Sequence, residues 1–482
     1  MFQNLIQIDR ESDKPIFRQL ADQLIEQIRE GLLPAETKLP GTRKLADLWG
    51  LHRKTVIAAI DELVLGGWLE TLPGRGTYVA AKIEILPADF QKEKTVGNRA
   101  TLPKVPDTLS RKLRLTTEKF RLDDGLPDPR LAPSAELLRA YKTAMNQGNI
   151  FLKYAYGETL GNSFLREVLA EYLNSSRGMN ISKDQILITR GVTQALYLFI
   201  QGFVKQGQKV VVPELNWESA NVNFIHHGAE LIKVKIDEEG LDTDHLEELC
   251  KVNDISVLYI TPHHQYPTTV IMPAYRRVKL IQLARQYGFY VFEDDYDYDF
   301  HYSSHPLMPL ASAEHGDYVF YTGSFTKAIS PVFRVGYLVA HRDQVDFLAR
   351  IRRLVDRQGD TILELAIAEL MQLGLIQRAL KKNKRIYEQR RDYFSSLLES
   401  ELSSVLSFKK PEGGMSVWGL FDEKIDIPEL SKKAHLNDLY FQDGAQFDAS
   451  GQKINATRVG FASSNETELE QSVEILKRLI RI

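Results

Sequence analysis

Cysteine is nearly absent: Cys250 is the only one in 482 residues. That removes intramolecular disulfides and any cysteine-rich zinc centre, and it fits a reducing compartment. No apolar run reaches the roughly 20 residues needed to span a membrane. The first residues also lack the basic-then-apolar pattern of a secretory leader, so a cytoplasmic protein with no membrane partner is expected. Net charge of one sign is missing as well. With 61 basic and 64 acidic residues the balance is −3, so nucleic-acid binding must come from a local basic patch. Repeats and low-complexity tracts are absent. What is there is length and apolar content for two or three domains.

Residues 15–80 read as one unit. In PIFRQLADQLIEQIREGLL the apolar set Ile16, Leu20, Leu24, Ile28 recurs every fourth residue, which predicts a helix with one buried stripe. TRKLADLWG predicts a short second helix with Leu45, Leu48 and Trp49 on one face and Gly50 as a left-handed cap. A third helix starts near His52 or Arg53, buries Val56, Ile60, Leu63 and Val64, and stops at Gly66-Gly67. A hairpin follows, Trp68 to Leu72 and Thr77 to Ala80 around Pro73-Gly74. Pro87, Pro103 and Pro106, mixed charge and no apolar period mark 81–113 as a linker. From 114 to 482, short apolar strands (KVVVP, SVLYI, YVFE, YVFYT) alternate with helical segments such as VTQALYLFIQGFV, the pattern of an open, mostly parallel α/β sheet. The last part, with GGMSVWGLF and ATRVGFA as strands among charged helices, reads as a small α+β lobe.

Three helices and a hairpin are the plan of a winged helix-turn-helix, whose reading helix enters the major groove while the hairpin rests on the backbone. Arg53, Lys54 and Thr55 open the third helix, where side chains meet phosphates and base edges and free amides favour anions. Arg43 is placed to reach a phosphate, and Gly74 and Gly76 flank Arg75 in the hairpin, permitting close approach to a sugar-phosphate strand. Taken singly, such a basic pair is an ordinary solvated helix end. Together, LPGTRKLADLWGLHRKTVIAAIDELVLGGWLETLPGRGTYV resembles the GntR family signature almost throughout. The differences are mild: Gly41 stands where serine is frequent, and Gly67 where an acid followed by glycine is frequent. A double-stranded DNA operator is the partner this implies.

In the α/β part, YVFYTGSFTKAISPVFRVGY ends a strand in Gly323-Ser324 and continues to Lys327 and Arg334. It is either a surface loop or a holder for a phosphorylated cofactor. A pyridoxal phosphate site needs a lysine, a carboxylate for the pyridine nitrogen, a phosphate cradle and a flat group on the ring. Asp294 or Asp295 follows a buried strand and supplies the carboxylate, unless that acidic run is a solvated loop or a hard-metal site, whose calcium spacing is missing. Gly191 makes a turn, Val192 and Thr193 open a helix with free amides, Ser324 adds a hydroxyl and Arg334 a bidentate cation.

Residues 120–482 resemble a fold-type I aminotransferase, and with the GntR-like head the whole chain is similar to the MocR regulators. The resemblance implies Lys327 as the lysine bonded to pyridoxal 5'-phosphate, Arg334 as the phosphate arginine, Asp294 at the pyridine nitrogen and Tyr296 near the phenolic oxygen. YAYGETLGNSFLREVLAEYLNSSRG resembles the block in which a tyrosine, here Tyr156, reaches the phosphate of the neighbouring subunit. An obligate homodimer, domain-swapped, is implied. ATRVGFA places Arg458 where relatives hold an amino acid's carboxylate; an isolated strand arginine is more often a salt-bridge partner. Departures are Tyr266 for the asparagine before Pro-Thr-Gly, Thr269 for its glycine, Val192 for a hydroxyl residue, and Trp217, in ELNWESA, as the group over the ring. Ser219 stands where some regulators have a second effector arginine. The expected architecture is α/β: a winged helix-turn-helix at 1–80, a linker at 81–113 and an aminotransferase-like, cofactor-binding domain at 114–482. The expected function is a regulator sensing an amino acid, an amine or pyridoxal phosphate itself, without net catalysis. The alternative is an active aminotransferase tethered to DNA.

Overall fold

In the computed structural model, residues 2, 6–81, 106, 109, 116–303, 307–444 and 454–480 are described. The expected linker at 81–113 falls almost entirely outside them. The chain divides into two compact units, residues 1–104 and 105–482.

In the first unit, helix α1 (Ile16–Arg29) buries Leu20, Leu24 and Ile28, while Ile16, in the first turn, is only half-buried. Helix α2 (Thr42–Trp49) ends on Gly50 in the left-handed conformation, φ 61, a geometry that costs a residue without Cβ least. Three residues later α3 (Arg53–Leu65) begins, with the His52 ring accepting the Lys54 amide at 3.3 Å. It buries Val56, Ile60 and Leu63 against α1. Val64, Leu48 and Trp49, read as core, are half-buried at the edge of that stripe. Strands β1 (Leu69–Leu72) and β2 (Gly76–Val79) pair antiparallel, Leu69 opposite Val79. The segment before α2 joins them, since Leu39 N–H donates to Thr77 O and Val79 N–H to Thr37 O. This is a winged helix-turn-helix.

The second unit is built on a seven-stranded sheet. Its strands in chain order are β3 (Ile186–Thr189), β4 (Lys209–Pro213), β5 (Glu230–Val234), β6 (Ile255–Ile260), β7 (Tyr290–Asp294), β8 (Val319–Ser324) and β9 (Gly336–Val339), lying in the order β3-β9-β8-β7-β6-β4-β5. All neighbours run parallel except β9, which is antiparallel to both β8 and β3. Period-two alternation sorts the strand side chains into two layers. Val210, Val212, Val257 and Phe292 pack with Leu196 and Phe199 of α4 (Val192–Phe203). Val211, Leu258, Ile260 and Val291 pack with Leu280 and Leu283 of a later helix, Ala274–Tyr287. Helices on both faces leave the carboxyl ends of the strands as the place for a ligand. A smaller antiparallel sheet, β10 (Leu406–Phe408), β11 (Ser416–Phe421) and β12 (Ala456–Gly460), forms the carboxyl-terminal lobe. The mostly parallel α/β unit with a small lobe matches expectation. Among the described residues no helix is long and apolar enough to cross a membrane.

Candidate functional site

A cavity of about 260 Å³ opens at the carboxyl ends of the strands. It brings together Val192, Thr193, Trp217, Asp294, Tyr296, Ser324, Lys327 and Arg334 from segments far apart in the chain. Each arrives for a local reason. Gly191, at φ 80, ends the β3 turn, and α4 begins at Val192, so the amides of Val192 and Thr193 lack intrahelical acceptors. A Cβ on Gly191 would stand 2.8 Å from Arg334 Nη2, so glycine is what lets the guanidinium close onto this turn. Arg334 itself is exposed, in the left-handed region at φ 50, and donates from Nη2 to Arg190 O at 2.9 Å. Gly336 lets β9 approach this turn: its Cβ would lie 2.6 Å from Gly191 Cα. Ser324 closes β8, its hydroxyl bonded to Thr326 Oγ1 at 2.7 Å. Trp217 caps the amino end of the helix Glu218–His226 and lines the cavity.

The acidic run resolves by strand period. Phe292 of β7 stands opposite Tyr259 of β6, and Asp294, two residues on, shares its face. The Tyr259 hydroxyl therefore donates to Asp294 Oδ2 at 2.6 Å. Glu293 and Asp295 point the other way, accepting from the Leu310 and Ala311 amides and from the Tyr321 hydroxyl respectively. Asp294 Oδ1 is buried and has no hydrogen-bond partner. Burial pushes the Asp294 and Glu293 carboxyls up to about 7, and Asp295 to about 6. Among the described residues, no three His, Cys, Asp or Glu side chains converge as metal ligands.

The raised Asp294 value has a measurable consequence. Between its ordinary value of 3.8 and about 7 the folded chain holds a proton that the unfolded chain has released, so this group weakens stability as pH rises. Asp294→Asn removes that dependence. Thermal unfolding of the cofactor-free chain should show the variant gaining on wild type as pH climbs from about 4 to about 7. A difference independent of pH would contradict the assignment.

Lys327 lies in the turn after β8, half-buried, with Nζ against the Gly125 carbonyl. Burial pulls its ammonium below the usual value, against the opposing pull of Asp124 and Asp297. Tyr296 donates its hydroxyl to His264 O at 3.1 Å, and His264 Nδ1 meets Asp297 Oδ1 at 2.7 Å in a buried pair. Two expected residues stand apart. Tyr156 is 75% exposed outside the cavity, with the Arg357 guanidinium 3.9 Å over its ring. Arg458, on β12, is buried behind the cavity wall, where Asp124 already engages it at 2.6 Å. Sequence reasoning does not reach Tyr259, Asp124 or the His264–Asp297 pair. The only usable signal, the strand period linking Tyr259 to Asp294, needs the register of two strands 35 residues apart.

In the first unit, Arg53 and Lys54 are exposed in the first turn of α3, which holds no acid, and Thr55 is half-buried behind them. Arg43 is exposed at the second position of α2. Gly74 (φ 73) and Gly76 (φ 118) hold the hairpin turn, and Arg75 between them is exposed.

The family model for aminotransferases of class I and II matches residues 121–476. That for bacterial regulatory proteins of the gntR family matches residues 17–79. The probable rhizopine catabolism regulatory protein MocR of Rhizobium meliloti is 26% identical, over 98% of this chain and 95% of its own. The pyridoxine biosynthesis transcriptional regulator PdxR of Corynebacterium glutamicum is 27% identical, over 85% of this chain and 84% of its own. Among solved structures, LysN, an alpha-aminoadipate aminotransferase from Thermus thermophilus complexed with N-(5'-phosphopyridoxyl)-L-leucine, superposes with a TM-score of 0.70 at 27% identity, over 75% of this chain and 92% of that one.

Proposed function

Because the chain belongs to the aminotransferase class I and II family over residues 121–476 and joins to it a DNA-binding head of the gntR family, we propose that it is a pyridoxal-phosphate-dependent transcriptional regulator. The observation that carries this is the convergence in one cavity of Lys327, the Val192–Thr193 helix start, Arg334 and an Asp294 whose Oδ1 is buried without a partner. An orphaned carboxylate oxygen fits a protonated ring nitrogen, and the helix start at Val192–Thr193, lining the same cavity as Ser324 and Arg334, fits a phosphate. When bound, the cofactor supplies an aldehyde that joins reversibly to amines, on an electron-withdrawing ring.

The chain's residues divide the remaining work. Asp294, ionised beside that cation, holds the proton on the ring nitrogen, and Tyr259 fixes its carboxylate. Burial keeps more of Lys327 as the neutral amine that can attack a carbonyl. The helix amides, Ser324 and Arg334 take the phosphate charge, and Trp217 covers one ring face. The chain works as a homodimer, with Tyr156 reaching the neighbouring copy's site. A small amino acid, an amine or the cofactor itself is the effector. It acts on DNA only by preferring one arrangement of the heads over another. The name of the relative tied to pyridoxine biosynthesis supports the cofactor itself as effector, and likeness to an aminotransferase keeps turnover as the competing reading.

Keto-acid production separates regulator from enzyme. The cofactor-loaded chain, given a panel of amines and amino acids, should change its absorption without releasing keto acid beyond one equivalent. Steady release would favour the tethered aminotransferase.

A further inference from the structure

The arginine expected to receive a ligand's carboxylate already has one. Arg458 is 1% exposed, and its Nε lies 2.6 Å from Asp124 Oδ1. Tyr266 donates its hydroxyl to Asp124 Oδ2 at 2.6 Å, and the Arg458 guanidinium lies 4.7 Å over the Tyr266 ring. The guanidinium also meets Pro267 O at 3.2 Å and the Tyr296 hydroxyl at 3.5 Å. Asp124 thus brings to Arg458 the negative charge that an α-carboxylate would bring, as an ion pair through Oδ1, while its Oδ2 is taken by Tyr266.

Asp124 is also part of the cavity wall, its side chain 29% exposed. Its backbone is anchored. Asp123 Oδ1 accepts the Gly125 and Leu126 amides at 2.9 and 2.8 Å, Asp123 O accepts Gly460 N–H at 2.7 Å, and Lys327 Nζ rests on Gly125 O. A Cβ at Gly125 would press on Met415 at 3.2 Å, so the turn sits tightly on the lobe. A carboxylate entering here must either lie beside Asp124, like charge on like, or pull it from Arg458 and drag this turn along. An ammonium approaching Lys327 meets no such conflict, because Asp124 faces the same cavity.

We propose that Asp124 is a specificity-determining residue that occupies Arg458 and reserves the cavity for primary amines lacking an α-carboxylate, against α-amino acids. This rests on the reading of Lys327 as the residue that holds the cofactor.

The test is a spectral titration of the full, cofactor-loaded chain with n-butylamine and with norvaline, which differ only by the α-carboxylate, each normalised to the same compound with free cofactor. Wild type should respond to n-butylamine at concentrations at least about ten-fold lower, the size of one unfavourable charge contact. Asp124→Asn, which keeps an oxygen for Tyr266 but removes the charge, should improve norvaline relative to n-butylamine by about ten-fold or more. Asp124→Glu should keep the wild-type order, which separates charge from a damaged turn. Wild type binding norvaline as well as n-butylamine, or an unchanged ratio in Asp124→Asn, would overturn the inference while leaving the cofactor assignment intact. A wild-type chain that takes up no cofactor would overturn both.

Discussion

Lys327→Ala is expected to abolish retention of the cofactor's visible absorption band through gel filtration, together with every ligand-induced change in DNA affinity. Lys327 is the only primary amine among the described residues lining the cavity, so no neighbour can substitute for it. The phosphate cradle at Val192, Thr193 and Arg334 and the Asp294 carboxylate are untouched by the change, so weak, dialysable binding should persist. The structural cost is small, because the hydrogen bond that Nζ gives up is the one to the Gly125 carbonyl. Lys327→Arg sharpens the case: it keeps the cation and its hydrogen bonding but not the nucleophile, and should fail as alanine does. If arginine restored the band, Lys327 would be only a cation for the phosphate and the assignment would be wrong. The heads of either variant should still bind DNA in the absence of ligand.

Replacing both Arg53 and Lys54 by alanine is the second large effect. These cations stand exposed on the first turn of α3, at the positive end of the helix dipole and with no acid in that turn to neutralise them. Removing one cation from a phosphate should lower the slope of log affinity against log salt by about 0.9, hence roughly 2 for the pair, with a weakening of at least about ten-fold near physiological salt. If Arg53 also reads a base edge, its removal should cost a further 1–3 kcal/mol or so of discrimination. Arg75→Ala in the hairpin should change the slope by about 1 with little effect on sequence preference. Lys14, which pairs with Asp22 at the start of α1, is the control and should change neither. Salt titrations of binding to one selected DNA fragment decide this. An unaltered slope in the double variant would place the DNA face elsewhere on the head.

Local periodicity made much of this molecule readable. The four-residue spacing of Leu20, Leu24 and Ile28 is the buried stripe of α1, and Gly50 and Gly191 sit at positive φ where a cap and a turn demand it. The strand-turn-helix order also placed Asp294 and Ser324 at strand ends, Lys327 in the turn beyond and Val192–Thr193 at a helix start, which the sheet then gathers into one cavity. Residue types alone left Asp294 and Asp295 open, and the two-residue alternation of β7 beside Tyr259 separates them. What stayed hidden depends on contacts without a local pattern. Tyr266 and Asp124 meet across 142 residues, and no spacing announces that Arg458 will find a partner there. The sequence left Arg458 between a salt-bridge partner and a carboxylate holder, and burial bears on that choice: an arginine inside the lobe needs a partner where it lies, and Asp124 is beside it. Tyr156 shows the opposite limit, since its exposed ring has a proposed role only beside a second copy.

The central claim is coupling between a cofactor cavity and a DNA-binding head in the same chain. The most direct measurement is the affinity of the full chain for a DNA fragment selected from a random-sequence pool. It is taken without cofactor, with pyridoxal 5'-phosphate, and with cofactor plus n-butylamine, in wild type and in Lys327→Ala. At least one addition should shift the wild-type affinity by about 5- to 150-fold, the span of ordinary allosteric coupling, and neither should do so in the variant. Equal affinities under all three conditions in a wild-type chain that visibly holds the cofactor would contradict it.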